Sequence, residues 1–456
     1  MGHIDCWRRI VYTVFLSHEN FNAHHFFQRT IRSHGAAPRP QLSTPRLPMS
    51  IYKWQFAPRF RRNAFGWKSQ TPISRIKEAL AEIKLVAKKE PVLAAEGAVL
   101  FLEKLAPAIG QVDSSSGGIG SAVNRAIETL APIIAKADVS RTVREKWLDR
   151  LWEALQDDDM PYLEYLGEFW GELCTTPEIA SKWADDLVPT VTSMWDHNAS
   201  TGGFGFFKGT TACLSALYAA GRNDELLALI AKSESKYKSW HDRKWGAKAL
   251  VKMGKMAEAI RYAEESKGLN APLTAIAEFC EGVLLSSGFA DEAYARYAME
   301  SSYGATNLAM FKAIAKKYPA KPPETILRDL VASQPGQEGK WFAAAKDSGL
   351  FELAIELVNT SPTDPRTLIR AARDYAVKQP AFALAAGMAG LRYIIRGHGY
   401  DITSVDVLDA YSAIVQAASA AGFEEAAMKA DVRALIATNP NGGDFVLRVL
   451  ARQLAE

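Results

Sequence analysis

Three glycines constrain this chain more than any other feature. Gly221, Gly254 and Gly288 lie 33 and then 34 residues apart, and each interrupts an apolar stretch that resumes at once: "YAAGRNDELLALI", "LVKMGKMAEAIRYA" and "LLSSGFADEAYARYA". A period near 34 made of two short helices cannot bury its apolar stripe within one unit, so it requires stacking on neighbours. After Gly254, Met256, Ala259, Ile260 and Ala263 recur at three- and four-residue steps, with Lys255, Glu258, Arg261 and Glu265 on the other side. That is the pattern of an amphipathic helix. After Gly288 the apolar set is Phe289, Ala290, Ala293, Tyr294 and Tyr297, while Glu292, Arg296 and Glu300 form a mutually supporting charged stripe. Glycine suits each turn because it enters the left-handed conformation without a Cβ penalty. The pattern predicts an all-α protein.

Over residues 209 to 302 the chain resembles the tetratricopeptide repeat. Ala247 and Leu250 before Gly254, and Ala259 and Ala263 after it, stand at that family's small and large packing positions, as do Leu284, Gly288, Ala293 and Tyr297. The unit at Gly221 departs from the pattern, with Leu226 where a small residue is expected and Ile230 where an aromatic is. Gly349 (with Ala354 and Val358) and Gly422 (with Ala427) follow at 61 and 73 residues, about two irregular repeats each. The resemblance implies an α-solenoid over residues 206 to 456, behind an irregular helical region at 78 to 205. It further implies that the first helix of each pair lines a concave groove for an extended peptide or a partner helix. In the pair turning at Gly254, that helix carries Lys244, Lys248 and Lys252 at four-residue steps, with His241 one turn earlier, and the preceding unit adds Thr211, Ser215 and Tyr218. Together they would form a basic groove with hydrogen-bond donors, suited to an acidic segment or a terminal carboxylate. The plainer alternative is a solvated lysine face.

The 456 residues, 48% of them hydrophobic, suffice for several domains or one long array. Cys6, Cys174, Cys213 and Cys280 are scattered without a C-x-x-C. They suggest neither a disulfide framework nor a thiolate metal site, and they fit a reducing cytoplasm. No run approaches the ~20 apolar residues of a membrane span.

Charge is distributed unevenly. Residues 1 to 48 carry six arginines against Asp5 and Glu19, and residues 49 to 77 carry seven basic residues and no acid. Setting these aside from the 54 basic and 51 acidic residues leaves 41 and 49, a formal charge of −8 for the body. The first 48 residues lack lysine, hold five of the eight histidines and end in "GAAPRPQLSTPRLP" before Met49. They read as a start-site extension or disordered tail, with Met49 the start; a targeting segment is the alternative. In the arm at 49 to 77, Tyr52, Trp54, Phe56, Phe60, Phe65 and Trp67 interleave with Lys53, Arg59, Arg61, Arg62 and Lys68. Cations that neutralise phosphate beside aromatics that stack on bases suit single-stranded nucleic acid. The same composition suits an arm packed across the first helices, and that reading is preferred.

Signals for chemistry are weak. Gly117, Gly118 and Gly120 precede a helix start, but without a preceding strand or a Walker lysine they read as a linker. In "TGGFGFFKGTT", at 201 to 211, the lysine precedes the last glycine, the wrong order for a phosphate loop. Trp147, Trp152, Trp170, Trp183 and Trp195 read as packing anchors. Asp157, Asp158 and Asp159, followed by Glu164, Glu168 and Glu172 at four-residue steps, read as helix capping and a solvated face. They would become an enzyme site only as buried acids facing one another in a pocket. His197, His241 and His398 are isolated. No catalytic residue, metal or cofactor is expected. The sequence is read as a non-enzymatic scaffold for a protein or peptide partner, with nucleic-acid binding through the arm second and an enzyme third.

Overall fold

The computed structural model describes residues 52–201, 205–233, 239–268, 270–304 and 306–455. The expectations for residues 1 to 48, and for Met49 as the start, lie outside them. Among the described residues there are 21 α-helices and no strand. The chain divides into two compact units, one ending at Met253 and one beginning at Gly254.

The first unit contains α1 Gln70–Ala87, α2 Pro91–Ile109, α3 Gly118–Lys136, α4 Arg141–Gln156, α5 Trp170–Cys174, α6 Pro177–Thr201, α7 Thr210–Ala219, α8 Asn223–Ser233 and α9 Trp240–Lys252. Pro91 opens α2 where its missing N–H is not needed. Gly118 and Gly120 lie inside the first turn of α3 rather than ahead of it, and Gly117 alone is left-handed there. Arg144 is 3% exposed, yet its guanidinium donates to the terminal carbonyls of α3, Ile134 at 2.6 Å and Ala137 at 2.7 Å. Among the described residues Ile134 otherwise accepts only the cap N–H of Ala137, at 3.3 Å, and carbonyls of a last helical turn are under-satisfied, so a buried cation is tolerated there.

The aromatic arm is packed structure. Trp54, Phe56, Phe60 and Phe65 are buried, and Phe56 and Phe60 meet Phe101 of α2 edge-on at 5.3 and 5.0 Å. Trp54 lies over Gly97, where a Cβ would come within 2.1 Å of the indole. Glu82 of α1 accepts the backbone N–H groups of Gln55 and Phe56 at 2.9 and 3.2 Å, fixing the arm's path. Trp152, Trp170 and Trp183 pack on one another with centroids 5.0 to 5.7 Å apart.

The second unit contains α10 Met256–Glu264, α11 Leu273–Ser286, α12 Ala290–Ser301, α13 Asn307–Lys317, α14 Pro323–Ala332, α15 Phe342–Asp347, α16 Phe351–Thr360, α17 Pro365–Tyr375, α18 Pro380–Ile395, α19 Ser404–Ala420, α20 Glu425–Ala437 and α21 Pro440–Leu450. Its helices pack chiefly on those one or two positions along the chain.

The glycine turns share one backbone conformation, and all but the turn at Gly254 share one hydrogen bond. Gly221, Gly254, Gly288, Gly349, Gly397 and Gly422 take φ values of +74 to +83°. Arg222, Phe289, Leu350, His398 and Phe423 return their N–H groups to the carbonyls of Leu217, Leu284, Ala345, Tyr393 and Ala418 at 2.9 to 3.0 Å. This is the Schellman closure, which satisfies a carbonyl at the helix end. Gly397 joins the set unexpectedly. The turn expected between Gly288 and Gly349 lies at Tyr318 to Pro322, where proline stops one helix and Pro323 starts the next. Gly442 and Gly443 sit within the start of α21.

Candidate carboxylate and lysine site

The segment between α4 and α5 does not form the expected solvated glutamate face. Residues 157 to 163 fold back because the Asp158 carboxylate accepts the Leu163 N–H at 2.7 Å. Lys208 closes the loop by donating to the carbonyl of Gln156 at 3.0 Å and to that of Asp158. Glu164–Phe169 then winds as a 3-10 helix. At three residues per turn, Glu164 and Glu168 lose register with Glu172. Glu172 is exposed, whereas Glu164 and Glu168 are half-buried.

The two inward acids meet α9. Lys244 pairs with Glu168 at 2.5 Å. His241 Nε2 lies 3.1 Å from Thr211 Oγ1 of α7, and Lys252 donates to the Tyr218 carbonyl at 3.0 Å. Ser215 accepts the Gly171 N–H at 2.9 Å and donates to the Glu168 carbonyl at 3.4 Å. The seven groove candidates therefore do lie together on two packed helices, but in different roles. Thr211 and Ser215 are buried in helix packing and line no open surface. Tyr218 is half-buried beneath Lys252, whose Nζ is 4.9 Å from its ring.

Lys248 is the exception among the lysines. Its ammonium lies 4.3 Å from the centroid of the Trp245 ring and, among the described residues, has no hydrogen-bond acceptor. Burial depresses its pKa, Glu168 opposes that shift and Lys244 adds to it. Trp245 is itself 3% exposed, and its indole N–H has no acceptor.

The acids around Lys244 are perturbed in the opposite sense. Burial raises Asp158 to about 6 against the backbone N–H groups it accepts. It raises Glu164 to about 7; Lys208 resists, and Asp242, Asp158 and Glu168 add to the rise. Asp242, on α9, is also raised by burial. Four carboxyl groups from a loop, a 3-10 helix and α9 thus share one site with Lys208, His241, Lys244 and Lys248. Such a site can exchange a proton near neutrality. Among the described residues no three His, Cys, Asp or Glu side chains are placed to share a metal ion. Burial pushes the thiols of Cys174 and Cys213 up to about 12 and that of Cys280 up to about 11, so none is an activated nucleophile.

On the arm, Arg59 pairs with Glu78 at 2.8 Å. Trp54 is buried, while Lys53, Arg61, Arg62, Lys68 and Trp67 are exposed, Trp67 by 72%. In the second unit, Met256, Ile260, Val283, Leu284, Phe289 and Arg296 line a depression of about 330 Å³. Sequence reasoning passed over Asp242 and Trp245; their only signal was their position one and four residues after His241.

The described residues define an all-α protein whose first unit carries a mixed carboxylate and lysine cluster. Comparison with protein-family models and with curated proteins finds no match. The tetratricopeptide resemblance therefore rests on the chain's own turns and packing positions. Among the described residues no helix is long and apolar enough to cross a membrane.

Proposed function

We propose that the chain is a non-enzymatic scaffold, tetratricopeptide-like over residues 206 to 456, that holds an acidic segment of a partner protein on the α7 and α9 face. The observation that carries this reading is the Lys248 ammonium, half-buried over the Trp245 ring and without an acceptor among the described residues. A half-buried donor without an acceptor costs stability, and a partner carboxylate would supply the acceptor. Lys244 and Lys252 are already matched within the chain, so the row of lysines narrows to Lys248. Packing of helices on near neighbours in the chain, with five turns closed by a left-handed glycine, supports the scaffold part.

The test is a nuclease-treated pull-down with the full chain. A stoichiometric protein partner should be lost with Lys248→Glu and kept with Lys255→Glu, a charge reversal on the turn after α9. Equal retention by both variants would remove Lys248 from the reading.

A second reading is favoured by Trp67, an exposed tryptophan among Arg61, Arg62, Lys68 and Lys53. That grouping fits single-stranded nucleic acid. It requires oligonucleotide binding that weakens steeply with salt and is lost with Trp67→Ala.

A further inference from the structure

We propose that the depression between α10 and α12 is a second binding site, which takes the apolar C-terminal residue of a partner chain, its side chain on the floor and its carboxylate on Arg261. The site does not depend on the α9 face. Its floor is apolar, since Ile260 of α10 and Val283 and Leu284 of α11 line it and are buried. Phe289, which follows the turn at Gly288, lines it too and stays 58% exposed. A Schellman turn ordinarily brings the residue after its glycine onto the helix it closes, and the Phe289 N–H does return to the Leu284 carbonyl at 2.9 Å. Much of the side chain is nevertheless left to solvent. A hollow of about 330 Å³ lies at the small end of the range in which proteins hold ligands, which suits one apolar side chain rather than a long segment. Its walls come mostly from α10 and α12, the second helices of the pairs turning at Gly254 and Gly288. It is therefore not the groove of first helices that the tetratricopeptide resemblance implies.

Charge selects the occupant. Arg296 donates to Glu292 at 2.7 Å and to Glu264 at 3.0 Å, and Glu264 also accepts the Tyr297 hydroxyl at 2.6 Å. Both acids that line the hollow are thereby engaged, and a cationic ligand would have to displace Arg296 to reach them. Arg261 lines the same hollow, is exposed, and forms no ion pair or side-chain hydrogen bond among the described residues. Its guanidinium presents N–H donors in a fixed fork that matches a carboxylate. The two arginines and two glutamates of the lining cancel, so long-range attraction is small and the preference for a carboxylate rests on the short contact with Arg261. A C-terminal residue carries its side chain and its carboxylate on one Cα. An internal apolar residue would bring only neutral backbone to Arg261, and an acidic segment would leave the floor unfilled.

The test uses the full chain and an acetylated tetrapeptide of glycine and serine ending in leucine, as the free acid and as the C-terminal amide, with binding read by saturation-transfer NMR of the peptide. The acid should bind about five-fold tighter than the amide, the upper end for a partly exposed ion pair. Arg261→Gln should erase that preference and leave binding of the amide unchanged. Phe289→Ala should weaken acid and amide alike, by about three-fold. Both side chains are exposed, so neither change opens the core. Equal binding of acid and amide by the wild type, or no binding of either at millimolar concentration, would overturn the site. A preference that survives Arg261→Gln overturns it as well, and its loss with Lys248→Gln would then move the carboxylate to the α9 face. Octanoate that displaces the peptide at equal concentration would make a free carboxylic acid the occupant and reject the partner chain.

Discussion

Glu281 in the second unit and Glu164 in the first are both drawn out of solvent, but only Glu281 meets donors. Glu281, on α11 and 2% exposed, accepts from the Tyr318 hydroxyl and from Lys317 Nζ, each at 2.7 Å. Lys317 also reaches the hydroxyls of Ser301 and Ser302 at 3.2 and 3.1 Å, so one carboxylate ties α11, α12 and α13 together. Tyr294 and Asp329 repeat the device between α12 and α14 at 2.7 Å. Glu164 instead has no donor among the described residues, and burial raises its pKa, with Asp242, Asp158 and Glu168 adding to the rise and Lys208, bonded elsewhere, opposing it. A buried acid with fixed donors is a structural tie. One without them destabilises the fold, and such groups concentrate where a protein binds or reacts.

The comparison breaks most visibly if Glu281 proves dispensable. Glu281→Leu leaves the Lys317 ammonium and the Tyr318 hydroxyl without their acceptor and should lower stability by about 3 kcal/mol in urea unfolding. Tyr318→Phe removes one hydrogen bond to that carboxylate and should cost roughly 2 kcal/mol in the same assay.

Glu164→Gln should act with the opposite sign. Glu164 is raised in the folded protein to about 7 from its ordinary 4.5. Between those values the folded state holds a proton that the unfolded state has lost, so wild-type stability falls as pH rises through this window and is flat beyond it. Glutamine mimics the neutral form, and the variant should gain about 1 to 2 kcal/mol at pH 7.5 and almost nothing at pH 4.5. Unfolding curves at the two pH values check both sign and slope.

The smallest effect extends the contrast to the backbone. Gly288 has φ of +83°, whereas Gly282, in α11, would place a Cβ in open space. Gly288→Ala should cost about 1 kcal/mol, and Gly282→Ala should gain roughly half as much. Thermal melts of the two variants should move in opposite directions.

Much of the fold was legible in the residues. Pro91, Pro365 and Ser404 open helices close to where their chemistry places them, and Gly288, Gly349 and Gly422 each close the helix before them with the same turn. The aromatic arm was legible as a packing element, since six aromatics in so short a stretch exceed what a solvated loop carries. The 3-10 winding of Glu164–Phe169 was not. Four-residue spacing of Glu164, Glu168 and Glu172 is the pattern of an α-helical stripe, and the loop closure by Asp158 and Lys208 overrides it. The candidate site was half legible: the lysine row of α9 was visible, and the acids that meet it were not assigned to it.

By itself the sequence determined the helices, their breaks and their turns. Periodicity, proline and left-handed glycine act over a few residues, so no distant partner is needed to read them. Only the tertiary structure decided that Trp54 lies on Gly97, that Thr211 and Ser215 are buried, and that Glu168 meets Lys244 while Lys248 meets no acceptor among the described residues. Desolvation and Coulomb energy are set by neighbours from separate parts of the chain, and no local pattern encodes which of them will meet.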